Sequence, residues 1–170
     1  MILERNLLPE ASQNRPSIKL QSKKAVVLHY VGNPNTTPTA NINFWRNRKE
    51  FGSAHVVIGI DGKTQLAIPF DEVAYHAGTS GQNTIGGVTF PNNVNNHSVG
   101  IELCHSTWTS GYTVETMEAL GNLLFYLKEQ GFEYLFTHNE ITGKDCDYWF
   151  RTNKDALEKL AAKYGYKRPK

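Results

Sequence analysis

A chain of 170 residues, 39% hydrophobic and 20% charged, is long enough to bury a core as one domain, and its composition excludes disorder and collagen-like repeats. A formal net charge of +2 excludes the strong basic footprint of a nucleic-acid binder; the small excess gathers at the two ends, around Lys19, Lys23 and Lys24 and from Lys154 to Lys170. No apolar run reaches the roughly 18 residues that a membrane-spanning helix requires, so no membrane insertion is expected.

Residues 1–22 are polar, carry two prolines and read as an extended arm. Their start has no apolar stretch of signal-peptide length, so synthesis in the cytoplasm and export by another route are expected. Ala25–Tyr30 is a short apolar, β-branched run, the pattern of a buried central strand. A loop follows at Gly32–Asn35. Thr37 as cap and Pro38 in the first turn open a helix to about Glu50, with Ile42, Trp45 and Lys49 on one side. His55–Ile60 and Thr64–Ile68 flank Asp61-Gly62, a hairpin signal. From Gly78 to Asn96 the chain is rich in Gly, Asn and Thr, without periodicity, and reads as a long functional loop.

Ser98–Cys104 reads as a strand with Val99, Ile101 and Leu103 on one face and Gly100, Glu102 and Cys104 on the other. Thr113 caps the strongest helix, whose stripe is Val114, Met117, Leu120, Leu124 and Leu127 and whose stop is Gly131. Tyr134–Phe136 is a short strand running into Thr137 and His138. A last helix spans about Asn153 to Tyr164 and ends at Gly165. Strands interspersed with helices, one hairpin among them, predict an α/β single domain over 1–170 with a central mixed β-sheet flanked by α-helices.

Three residues in this frame are suited to a metal. His29 ends the first strand, His138 follows another, and Cys146 lies eight residues further on. Two imidazoles and a thiolate are zinc ligands that leave a fourth tetrahedral position open, the arrangement of a catalytic site. Alone, each of these residues is more often structural. Glu102 is a carboxylate among apolar strand neighbours, costly unless paired or facing a wet site. It reads either as a solvent-facing residue of an edge strand or as the general base beside the metal. Lys144 reads either as an exposed loop lysine or as a charge that stabilises an oxyanion.

The segments RNLLP (5–9), RPSIKL (15–20), KAVVLHYVGNP (24–34), SAHVVIGIDG (53–62), EVAYHAG (72–78), NNHSVGIELC (95–104) and THNEITGKDC (137–146) run in one order over the whole chain. In these segments the chain resembles the zinc-dependent N-acetylmuramoyl-L-alanine amidases of type 2, with a peptidoglycan-recognition-protein-like fold, and especially the amidase domains of phage endolysins and prophage autolysins of Gram-positive, clostridial-type hosts. The resemblance implies a Zn2+ cofactor on His29, His138 and Cys146, Glu102 as catalytic acid and base, and Lys144 as transition-state stabiliser. It implies His76 as a substrate-binding residue beside the groove, against the alternative of a satisfied structural histidine. The implied substrate is peptidoglycan, cut by a monomer that reaches the wall after holin-type release or lysis.

Two positions depart from the family's pattern. Some relatives carry a catalytic tyrosine where this chain has Ala54, which leaves the base role to Glu102. The proline that usually follows the ligand cysteine is replaced by Asp147. Cys104 reads as a packed thiol; Trp45, Trp108 and Trp149 read either as sugar-stacking faces or, by default, as core packing. Two other readings compete. One is a peptidoglycan receptor of the same fold without catalysis; the other is a disulfide-linked domain, which requires a Cys104–Cys146 bridge.

Overall fold

The computed structural model describes residues 2–169. Its centre is a six-stranded sheet built from β1 (Glu4–Arg5), β2 (Ala25–Tyr30), β3 (Val56–Ile58), β4 (Thr64–Leu66), β7 (Ser98–Leu103) and β8 (Tyr134–Thr137), in the order β1-β4-β3-β7-β2-β8. Only the β3–β4 hairpin is antiparallel. The pairs β2–β7, β2–β8, β3–β7 and β1–β4 are parallel, so the sheet is mixed and the C-terminal ends of β2, β3, β7 and β8 share one edge.

Five helices complete the domain: α1 (Pro38–Asn47), α2 (Val114–Glu129), α3 (His138–Thr142), α4 (Tyr148–Thr152) and α5 (Lys154–Lys163). The long helices form where the sequence predicts. Thr37 caps α1 by accepting from the Ala40 amide, with Pro38 at the first position, and Thr113 caps α2 by accepting from the Thr116 amide. Gly131 after α2 and Gly165 after α5 take the positive φ of a helix stop. None of the described helices is long and apolar enough to cross a membrane.

The central strands are buried on both faces, as parallel strands must be. One face packs Val26, Leu28, Val99, Ile101 and Leu103 under Leu120, Leu123, Leu124 and Leu127 of α2 and Leu157, Leu160 and Ala161 of α5. Val114 falls outside that stripe and is exposed. The opposite face carries two smaller clusters, one with Ile42 and Trp45 of α1 against Val57 and Cys104, the other with Val27, Ala77, Val94, Phe90 and Phe136. Between these clusters the face holds its polar residues.

Two segments differ from the sequence reading besides the short helices α3 and α4, which it did not predict. The Gly78–Asn96 stretch contains a second hairpin, β5 (Asn83–Ile85) and β6 (Val88–Phe90), followed by a 3-10 helix, Val94–His97. Its turn is Gly86-Gly87, both at positive φ, a tight hairpin signal hidden by the polar strand around it. The N-terminal arm is part of the fold rather than an appendage. Its β1 extends the sheet, Leu8 is buried, and Arg15 grips Glu72 through two hydrogen bonds of 2.8 and 3.0 Å while donating to the Leu8 carbonyl.

The Arg15 and Glu72 side chains are 5% and 10% exposed, so removing one leaves a buried charge without its partner. Glu72→Ala is expected to lower the unfolding free energy in urea by about 3 kcal/mol. A loss below about 1 kcal/mol, the range of a surface pair, would show that the arm is not held this way.

Candidate metal centre and cleft

The register of the sheet builds the site. In the β2–β7 pair, His29 lies directly opposite Glu102, and in the β3–β7 pair Val57 does. Their side chains therefore share one face. On β8 the register runs Leu28 opposite Thr137, and the chain turns there into α3, so that His138 arrives beside His29. Thr137 fixes this turn: its amide and its hydroxyl both donate to the Glu140 carboxylate, at 2.8 and 3.1 Å. Gly143 at φ 75° ends α3 after five residues. The returning loop is braced by Asn139 Nδ2, which donates to the Lys144 carbonyl at 2.9 Å, and by the Cys146 amide, which donates to the same carbonyl at 2.8 Å.

The fold thus brings His29, His138 and Cys146 together, all buried, with their donor atoms within 4.8 Å of one another. His29 Nδ1 is 3.0 Å from His138 Nδ1 and 3.8 Å from Cys146 Sγ. Zinc bonds of about 2.0 Å to nitrogen and 2.3 Å to sulfur give tetrahedral edges of roughly 3.3 and 3.5 Å, close to those separations. The chemistry of the donors agrees. Burial, reinforced by His76 and His138, holds His29 well below the usual histidine range, and burial with Lys144 brings His138 down to about 4, so both rings are neutral and keep a lone pair. Burial and the neighbouring Glu102 push the Cys146 thiol up to about 12, so its thiolate needs a cation beside it. Glu102 Oε2 is buried without a hydrogen-bond partner among the described residues. Two lone pairs, a thiol and an orphaned carboxylate oxygen on one face fit a divalent metal with an open position.

A cleft of about 530 Å³ opens over this cluster. His29, His76, Glu102, His138, Lys144 and Cys146 all line it, so every residue singled out from the sequence as a site residue reaches one cavity. Lys144 is exposed, and its charge opposes the burial that raises Glu102. His76 is only 7% exposed, and both of its ring nitrogens face protein partners, His29 Nε2 at 3.1 Å and Ser98 Oγ at 3.2 Å. Cys104 packs in the core, and both cysteines are free, so the bridge that a disulfide-linked domain requires does not form. Asp147 stands apart from the metal-donor group. Its Oδ1 caps α4 by accepting from the Phe150 amide at 3.0 Å, from a backbone at φ 60° that costs a non-glycine residue about 1–2 kcal/mol. That cap explains an aspartate after the cysteine.

The sequence reading missed the walls. Phe44, Phe51 and Trp108 are exposed at the cleft, which half-buried Tyr75 and Arg48 also line. Trp45 and Trp149 pack as expected, but Trp108 is 52% exposed, edge-on to Tyr30 and next to His105. The hydrophobicity of these side chains hides them among core residues; only their place beside loops hints at exposure.

A mixed sheet whose C-terminal edge gathers two histidines and an unpaired glutamate, with a cysteine from the loop after α3, offers a candidate metal site on an α/β fold. A family model described as N-acetylmuramoyl-L-alanine amidase matches residues 20–158, and the chain belongs to that family. Among similar proteins, the N-acetylmuramoyl-L-alanine amidase BlyA of Bacillus subtilis (strain 168) is 27% identical over 154 residues, 85% of this chain and 42% of that protein. A probable N-acetylmuramoyl-L-alanine amidase of Bacillus licheniformis is also 27% identical, over 83% of this chain and 41% of that protein. The chain therefore spans about two-fifths of the length of these relatives. Its fold is that of the catalytic domain of XlyA (TM-score 0.73, 20% identity, 97% of this chain and 100% of that one). It is also that of the N-acetylmuramoyl-L-alanine amidase LysC from Clostridium intestinale URNW (TM-score 0.69, 20% identity, 98% and 99%).

Burial pushes the Glu102 carboxyl up to about 8 in the metal-free protein, above the 4.5 of a free glutamate. A folded-state pKa above the unfolded one means stability that is full below 4.5 and lost as pH rises through 8. Glu102→Gln has no charge to bury. Metal-free Glu102→Gln is therefore expected to gain on wild type as pH rises from 4.5 to 8, ending roughly 2–4 kcal/mol more stable. Denaturant melts of both proteins across that range check this, and a difference that stays flat with pH would contradict the burial of the charge.

Proposed function

We propose that this chain is a zinc amidase that hydrolyses the amide bond between N-acetylmuramic acid and the L-alanine of bacterial peptidoglycan. The observation that carries the reading is the convergence of His29 Nδ1, His138 Nδ1 and Cys146 Sγ beside the unpartnered Glu102 Oε2, in a chain of the amidase family. Among the described residues one copy supplies all four groups, so the active form is proposed to be a monomer.

Zinc on His29, His138 and Cys146 would supply a Lewis acid that polarises the scissile carbonyl and acidifies water near neutral pH. Glu102 takes a proton from the attacking water as the new carbon–oxygen bond forms. It then gives that proton to the alanine nitrogen as the carbon–nitrogen bond breaks, so protons balance over the cycle. Lys144, exposed at the cleft mouth, donates to the carbonyl oxygen as it becomes an oxyanion. Trp108, Phe44 and Phe51 offer apolar faces to the glycan and the stem peptide. Two solved structures of this fold are named endolysins, which supports a lytic role at the cell wall.

Mass spectrometry of digested peptidoglycan tests the reading. Free L-alanine amino termini and intact lactyl-muramic acid are expected; new reducing sugar ends, or cuts within the stem, would contradict it. Cys146→Ser is expected to lose zinc far more readily than Cys104→Ser, because a hydroxyl is a poor zinc ligand and Cys104 only fills space. Equal zinc loss in both, measured by elemental analysis after dialysis, would mean that the wrong cysteine has been assigned. In zinc-loaded protein, Glu102→Gln is expected to lower turnover by about 10²–10⁴-fold, and Lys144→Ala by about 10²–10³-fold. Near-normal turnover by Glu102→Gln with its zinc retained would remove the glutamate from the mechanism.

A further inference from the structure

Behind His29 runs a line of polar groups with a single consistent direction. His29 Nδ1 faces His138 and Cys146, and its other nitrogen, Nε2, is 3.1 Å from His76 Nδ1. His76 Nε2 is 3.2 Å from Ser98 Oγ, and that hydroxyl donates to the Val94 carbonyl at 2.8 Å. A lone pair on His29 Nδ1 requires the ring proton on Nε2. That proton needs an acceptor, which is His76 Nδ1, so the His76 proton must be on Nε2. Ser98 Oγ accepts it and passes its own proton to Val94 O. Every donor has one acceptor and every member is neutral.

We propose that His76 is a positioning residue for the metal centre: it fixes the tautomer and orientation of His29 through a His29–His76–Ser98–Val94 hydrogen-bond chain, rather than binding the substrate. The proposal rests on the zinc-amidase reading above. A carbonyl or carboxylate commonly does this work behind a metal-bound histidine; here a second imidazole does it.

The surroundings are shaped for the His76 ring. Ser98, Gly100 and Glu102 follow one another on the same face of β7, and the ring lies over the middle one. A Cβ at Gly100 would stand 2.5 Å from His76 Cγ, so only glycine admits the ring there. The backbone at 76–77 is tied down as well, because Asn95 Oδ1 accepts from the His76 amide at 3.2 Å and from the Ala77 amide at 2.7 Å. Asn95 is itself buried. The Ala77 backbone in turn lies close to the His138 ring. One two-residue segment thus backs both histidines of the centre, and Asn95 and Ser98, at the two ends of the 3-10 helix turn, hold that segment. This gives a physical reason for the AYHAG and NNHSVG segments, which contribute no metal donor themselves.

The test reads zinc affinity and ring protonation rather than turnover alone. Zinc affinity is measured by competition with a chromophoric chelator for wild type, His76→Phe and His76→Asn, with thermal melts of the metal-free proteins as the check on folding. His76→Phe keeps a ring but removes the acceptor, and is expected to weaken zinc binding by about 10–100-fold. His76→Asn places an amide oxygen where Nδ1 was and is expected to recover most of that loss. Nitrogen-15 NMR of wild-type histidines, metal-free and zinc-loaded, needs no variant to fold. It is expected to find both His29 and His76 protonated on Nε2. Equal zinc affinity of wild type and folded His76→Phe, or a His76 proton on Nδ1 in the zinc-loaded protein, would overturn the chain while leaving the metal centre intact. Wild type that binds no zinc would overturn the metal centre, and this role with it.

Discussion

The parallel pairing of β2 with β7 is the constraint on which the rest of the molecule depends. It sets His29 opposite Glu102 and Val27 opposite Gly100, so one sheet face carries an imidazole, a carboxylate and the gap that the His76 ring fills side by side. A slip of one residue would turn His29 or Glu102 into the aliphatic layer beneath α2 and bring Leu28 or Ile101 to the cleft. The register is secured by that same layer: Val26, Leu28, Val99, Ile101 and Leu103 are all fully buried under α2 and α5. Packing on one face of the sheet thus determines chemistry on the other. The other strands complete the arrangement by direction, because β8 ends at the same edge and delivers His138 there.

Concentrating ionisable groups on a buried face has a cost, visible in the direction in which each is displaced. The imidazoles of His29 and His138 are held neutral, and the Glu102 carboxyl and the Cys146 thiol are both driven toward their protonated forms. Without a cation these groups disfavour their charged states. A divalent cation reverses the preference of the thiol and the carboxylate together, and neutral imidazoles are the form a metal binds. Binding energy at such a centre is also folding energy, since the unfolded chain cannot assemble it. The strained Asp147 backbone beside Cys146 belongs to the same economy: the helix cap it provides holds the end of the ligand loop.

Much of this was legible in the sequence because it rests on local signals. The run Ala25–Tyr30, the Thr37 and Thr113 caps, the α2 stripe apart from Val114 and the turn at Asp61-Gly62 each follow from nearest neighbours, and each appears where expected. The segments from KAVVLHYVGNP to THNEITGKDC pointed to the family in the same way. What was not legible depends on tertiary contacts. The arm over residues 1–22 looks polar, yet β1 joins the sheet and Arg15 is buried on Glu72, a partner 57 positions away. The hairpin β5–β6 has only three residues a side, too few for the alternation of outward Thr84 and Thr89 with inward Ile85, Val88 and Phe90 to stand out. His76 stayed open between a groove residue and a satisfied structural histidine, because sequence shows only that it is near the site. Its nitrogen partners come from β2 and β7, which only the folded sheet brings together. Trp108, for which core packing was the default, lines the cleft instead.

The central claim is that His29, His138 and Cys146 are the protein ligands of one zinc ion. X-ray absorption at the zinc edge of the zinc-loaded protein tests it most directly, because sulfur scatters differently from nitrogen and oxygen. The predicted first shell is one sulfur at about 2.3 Å with two nitrogens and a further light atom at about 2.0–2.1 Å. A shell without sulfur, or one with two sulfurs, would contradict the assignment.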